Sequence, residues 1–144
     1  MSYLKRIQLC AVGIVLSLAA QSAMADVVPV VSVKSNVDGL NNNQVMDIFL
    51  GKTSRFPNGE PAVPIDQAEG SAVRDAFYMQ FASKSSAQLK AYWSKIIFTG
   101  KGQPPREVSP SEKVKRVLAD NPHLIGYIDS SEVDANVKVV LLSR

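Results

Sequence analysis

One junction constrains this chain more than any other stretch: Asp66-Gln67-Ala68-Glu69-Gly70-Ser71-Ala72-Val73-Arg74-Asp75-Ala76-Phe77. A short apolar run ends there, a glycine turns the backbone, and a helical pattern begins. Gly70 can take backbone angles closed to other residues, and Ser71 is a strong N-cap whose helix leaves its first N–H groups pointing into the turn. A terminus of that kind attracts a phosphate, a sulfate or a carboxylate. A capping serine also serves a helix that never meets a ligand, so the junction alone leaves both readings open.

Residues 1–25 read as a signal peptide. Lys5 and Arg6 form a charged head, residues 9–20 are apolar apart from Gly13 and Ser17, and Ala23-Met24-Ala25 has the small-x-small cleavage pattern. The apolar run is short for a membrane span. Cleavage after Ala25 leaves a mature, exported chain from Asp26 with no membrane span and no cysteine, because Cys10 departs with the leader. Residues 26–144 suit a single domain. The whole chain carries 16 basic and 13 acidic residues, and the loss of Lys5 and Arg6 leaves 14 against 13. That balance, with no arginine-rich or aromatic-interleaved patch, argues against nucleic acid as a partner. Lys113, Lys115 and Arg116 are the densest basic cluster and read as a solvated helix face.

Along the mature chain, residues 27–34 form a β-branched run whose Pro29 belongs at a strand start or edge, since it cannot donate to a ladder. Asn41 and Gln44 have capping-box spacing, followed by a short apolar face of Val45, Ile48 and Phe49 that Gly51 ends. Residues 62–65 form a second strand leading to Gly70. Strand, helix, strand in this order predicts a βαβ crossover with partly parallel pairing. The helix after Ser71 places Val73, Phe77 and Phe81 on one face, and a further helix from Ser85 or Ser86 carries Leu89, Tyr92, Trp93, Ile96 and Ile97 as a core stripe. Ser109-Pro110-Ser111-Glu112 reads as capping serine, first-turn proline and third-position glutamate. Two strands follow, at 125–128 and 137–142. The expected class is therefore α/β, a mixed sheet flanked by helices.

No catalytic set emerges. His123 is the only histidine and lies in a turn beside Pro122, away from Ser71. Gly100 and Gly102 are followed by Pro104-Pro105 rather than by a helix, which argues against a phosphate loop. Asp129, Glu132 and Asp134 crowd one loop but lack the glycine and spacing of a calcium loop. The chain reads as a non-enzyme with no metal and no cofactor.

An ordered series carries a resemblance. It runs from Asn43-Gln44-Val45-Met46-Asp47-Ile48-Phe49-Leu50-Gly51-Lys52 through Gly70-Ser71 and Arg74-Asp75-Ala76-Phe77 to Tyr92-Trp93. Phe98-Thr99-Gly100-Lys101-Gly102 and Ile125-Gly126-Tyr127 complete it. In order and spacing it resembles the phosphate-binding periplasmic proteins of ABC importers. The resemblance implies one lobe of a periplasmic-binding-protein-like fold over residues 26–144, a periplasmic location, and phosphate or a similar small anion as ligand. An ABC permease and a second lobe-like subunit are the partners it implies. Members that trap phosphate have two lobes, with the anion between helix N-termini, and 119 residues correspond to one. The family's loop commonly reads Gly-Ser-Gly-Thr after an arginine. Here it is Gly70-Ser71-Ala72-Val73, with Gln67 or Asp66 where the arginine falls, and Val73 has no hydroxyl to donate. The expected ligand contacts are Gly70, Ser71, Ala72 and Arg74. Loss of the ligand, leaving an envelope interaction or structural module, is the alternative.

Overall fold

The computed structural model describes residues 26–141; the expected leader, with Cys10, lies outside the described residues. A five-stranded sheet is built from β1 (Val27–Ser32), β2 (Val63–Asp66), β3 (Arg106–Glu107), β4 (Leu124–Asp129) and β5 (Val137–Val139), in the order β3-β2-β4-β1-β5. β2 runs parallel to both β3 and β4, whereas β1 is antiparallel to β4 and to β5. The mixed sheet is as expected, but the crossover is not where the chain order suggested. β1 and β2 point in opposite directions with β4 inserted between them, and the parallel pairing instead belongs to β2, β3 and β4. A local strand-helix-strand pattern cannot reveal that a strand from 60 residues later will separate the pair.

Pro29 sits inside β1, which has neighbours on both sides, so its expected edge position is corrected too. The ladder tolerates it because β5 ends there: the Val140 N–H donates to Pro29 O, and the Val140 carbonyl, which a residue 29 N–H would have sought, accepts from the Leu40 N–H instead. The predicted last strand is correspondingly shorter, ending at Val139 with one further bridge between Leu40 and Leu141.

Four helices cover the two faces. α1 (Asn42–Phe49) begins with the expected Asn41–Gln44 capping box, each side chain receiving the other's backbone N–H at 2.9 Å. α2 (Ala72–Ala82) is capped by Ser71, and α3 (Ser86–Phe98) by a Ser85–Gln88 capping box. α4 (Ser111–Ala119) departs from expectation at its start. Pro110 is its N-cap and Ser109 does not cap it; the Ser109 hydroxyl accepts the Ala68 N–H at 2.7 Å and so ties α4's entry to the junction after β2.

Strand alternation sorts the core. Val27, Val31, Ile125 and Tyr127 face α1, α2 and α3, together with Phe49, Phe77, Leu89 and Trp93. Val30, Ile65 and Ile128 face the other way, onto Val114 and Leu118 of α4. Gly126 lets α4 approach: a Cβ there would lie 2.9 Å from Val114 Cγ1 and 3.3 Å from Leu118 Cδ1. The basic cluster of α4 is also less solvated than expected, since Lys115 pairs with both Glu132 and Asp134 at 3.4 Å. Among the described residues no helix is long and apolar enough to cross a membrane.

Candidate functional site

β2 ends with Asp66, one residue later than the sequence pattern suggested, and this carboxylate is 3% exposed. Burying a carboxylate demands partners. Tyr78, one and a half turns into α2, donates its hydroxyl to Asp66 Oδ2 at 2.7 Å, and Tyr127 of β4 donates to Oδ1. The Gln67 N–H adds a bond to Oδ1 at 2.9 Å, and Arg74 Nε lies 3.9 Å from the same oxygen. Burial raises the Asp66 carboxyl above its ordinary 3.8, while the two tyrosines, the Arg74 charge and the Gln67 N–H pull the other way without cancelling it. Both tyrosine hydroxyls are pushed up, first by burial and then by the carboxylate beside them, so they remain protonated donors. The Tyr127 ring stacks on Phe77 at 3.9 Å with 6° between planes, which fixes β4 against α2 under the junction.

Above this network sits the turn. Gly70 has φ +90°, a conformation that glycine adopts without strain, and the Ser71 N–H closes the turn onto Ala68 O at 3.0 Å. The Ser71 hydroxyl oxygen accepts the Arg74 N–H at 3.3 Å and its hydrogen points toward Gln67 Oε1 at 3.4 Å. The second end of the Gln67 amide donates to Tyr127 O at 2.9 Å and to Ser111 Oγ at 3.3 Å. Gln67 thus bridges the N-termini of α2 and α4 from the position where the resembled family places an arginine or the residue beside it. A neutral amide there holds the two helix starts together without adding positive charge.

The four expected contacts separate into two kinds. Gly70 and Ala72 are exposed with Ser71 half-buried between them, and from this lip Ala72 and Val73 present backbone N–H groups with no acceptor among the described residues. Arg74 points neither to this lip nor to solvent. Its side chain is 13% exposed, donating to Gln67 O at 3.1 Å and to Glu107 Oε1 at 3.0 Å, close to Asp66. Burial alone would lower its pKa, but Asp66 and Glu107 more than offset that and hold the guanidinium charged. Asp66, Tyr78 and Tyr127 were missed as a group, because their side chains converge from three elements and only the fold assembles them. An acidic residue closing an otherwise apolar strand was the available signal.

The other candidates resolve as local structure. Asp129 accepts the Ser131 N–H and hydroxyl, and these bonds hold it below the ordinary carboxylate range; Glu132 and Asp134 are taken up by Lys115. Among the described residues no group of three His, Cys, Asp or Glu side chains is placed to hold a metal ion. His123 is exposed, and its carbonyl receives the Val63 N–H.

Comparison with known proteins places this arrangement. No protein-family model matches the chain, and none of the curated proteins does. Among solved structures it is similar to a putative phosphate ABC transporter substrate-binding protein with bound phosphate from Clostridium perfringens, at 25% identity and a TM-score of 0.59 over 79% of this chain and 43% of that one. An ABC-type phosphate transport receptor from Vibrio cholerae gives 17% identity and a TM-score of 0.63, over 79% and 44% of the two chains. A possible phosphate binding protein from Planctomyces limnophilus gives 14% and 0.58, over 79% and 40%. The chain has the fold these proteins share, and spans less than half the length of each.

Proposed function

We propose that this chain, which carries part of the fold of phosphate-transport substrate-binding proteins, is an exported binding protein for phosphate or a similar small anion. Its ligand would sit at the start of α2. The observation that carries the reading is the lip of Gly70, Ser71 and Ala72, where among the described residues the Ala72 and Val73 N–H groups lack an acceptor at the positive end of an eleven-residue helix. The Asp66 network beneath it immobilises the turn, so the donors are held in place before a ligand arrives. Arg74 contributes by fixing that turn through Gln67 O rather than by touching the anion. Export through the leader at 1–25 would bring the domain to the periplasm, where an ABC permease and a second lobe-like subunit are the partners in keeping with the fold.

A specific observation favours a second reading, an envelope interaction module without a ligand. Arg74 is committed to Glu107 and Gln67, and Gln67 and Val73 supply neither a cation nor a hydroxyl to the lip. Calorimetric titration of residues 26–144 with phosphate, sulfate and acetate separates the two. Heat that saturates with phosphate and is abolished by competing sulfate supports anion binding; no saturable heat with any of the three supports the second reading.

A further inference from the structure

We propose that the exposed face and C-terminal tip of α3 form a docking surface for an anionic lipid leaflet. Between Asp75 and Glu107 the chain contains no acidic residue, yet it carries Lys84, Lys90, Lys95, Lys101 and Arg106. These are five of the 14 basic residues after position 25 and none of the 13 acids, so a chain near neutrality overall has one strongly positive segment. Two of the five, Lys90 and Lys95, stand exposed on α3 itself, while Lys84 lies over the Tyr92 ring at 5.7 Å and Lys101 and Arg106 follow the helix. Leu89, Trp93 and Ile96 face the core, which turns Lys90, Ser94, Ile97 and Phe98 outward at i, i+4, i+7 and i+8.

Phe98 is 92% exposed and Ile97 48% exposed. A ring standing almost wholly in water at a helix end has apolar area to bury against a partner that takes it. Gly100, with φ +67°, then reverses the chain, its N–H bonding to Ile97 O at 3.0 Å and that of Lys101 to Ile96 O at 3.1 Å. This turn brings the chain to Lys101, exposed three residues after Phe98. The Lys90 side chain is 75% exposed and meets only Glu69, at 4.0 Å and also in solvent, an arrangement too loose to neutralise it.

A single exposed ring at the end of a helix that carries Lys90 and Lys95 fits a lipid surface better than a protein. A protein partner would have to offer a pocket matched to one Phe, whereas the acyl boundary accepts it anywhere and the surrounding headgroup charge pairs with the lysines. The contact is peripheral, with the ring at the headgroup boundary and the sheet well clear of it.

Residues 26–144 hold all five strands and both core clusters, so this segment is the one to test. Sedimentation with vesicles of phosphatidylcholine containing roughly 30% phosphatidylglycerol should pull the protein down at low salt, while pure phosphatidylcholine vesicles should not. About 0.5 M salt should release it. Phe98→Ser should weaken the partition about tenfold, and combined Lys90→Gln, Lys95→Gln and Lys101→Gln about a hundredfold. All these side chains are outside the core, and unchanged circular dichroism would confirm that the variants fold. No binding to the anionic vesicles, equal binding to neutral ones, or a Phe98→Ser variant that binds undiminished would each overturn the proposal. Capture of an acidic protein in place of the vesicles would overturn it as well.

Discussion

Replacing Ser71 with alanine tests the candidate site through both of the roles its hydroxyl plays. As a cap, the oxygen accepts one N–H, that of Arg74, at a long 3.3 Å, so its loss should cost about 1 kcal/mol of stability and lower Tm by about 4 °C for a domain of this size. As a ligand donor, it would turn from Gln67 Oε1, its acceptor at 3.4 Å, a contact weak enough to yield to an anion. The lip then offers three donors: the hydroxyl and the N–H groups of Ala72 and Val73. Bonds to a charged acceptor contribute about 1.5–3 kcal/mol each, so the gross gain is about 5–9 kcal/mol. The helix terminus adds about 0.3–1. Association removes at least about 4 kcal/mol, and what is left corresponds to phosphate binding near millimolar for the isolated chain, since about 4 kcal/mol is needed for that Kd. Ser71→Ala removes one of the three bonds and should weaken binding about ten- to a hundredfold. The assay is phosphate titration followed by the amide resonances of Ala72 and Val73, with a thermal melt of each protein alongside. Submicromolar affinity in a monomer, or a Kd unmoved by the substitution, would show that the anion is held elsewhere.

Three further expectations follow from particular contacts. Gly126→Ala drives a methyl to within 2.9 Å of Val114 on α4, and should cost about 1–3 kcal/mol in chemical denaturation; a cost below the error of the measurement would mean that α4 is not clamped there. Asp66 is held above 3.8, so the native state binds its proton more tightly than the unfolded chain. Its contribution is fully present below 3.8 and is lost as pH rises through the higher native value. Comparing Asp66→Asn with the parent should therefore show the parent gaining stability relative to the variant on acidification through that window, and the opposite trend would contradict the assignment. N-terminal sequencing of the natively exported protein should begin at Asp26; an intact Met1 would refute the leader.

The elements were legible where local chemistry determines them. Capping pairs such as Asn41–Gln44 and the break at Gly70-Ser71 depend on residues within a turn of each other, and the structure bears them out. Errors arose where a distant partner decided the outcome. Ser109 looks like a cap by spacing, yet its hydroxyl is claimed by the Ala68 N–H, 41 residues away. Arg74 looks available by its place on the helix, yet Glu107 arrives on β3, a two-residue strand too short to leave a pattern, and takes it. Asp66 looked like the start of the turn after the strand and is the centre of the buried network. These three concern polar groups, because an apolar residue is satisfied by any packed surface, whereas a buried donor or acceptor needs one particular partner.

That difference also bears on how the lip would recognise an anion. Its two free N–H groups belong to the backbone, so they do not depend on Ala72 or Val73 side chains and survive the departures from the Gly-Ser-Gly-Thr pattern. Selectivity is another matter: Arg74 is engaged below and Gln67 is neutral, so neither adds a free cation to favour a dianion over a monoanion. The helix terminus attracts both according to charge, which makes added charge from a facing surface the step that would separate phosphate from carboxylate. In this arrangement the chain's own contribution would be the Ser71 hydroxyl and the two N–H groups, and discrimination would rest on whatever closes over Gly70, Ser71 and Ala72.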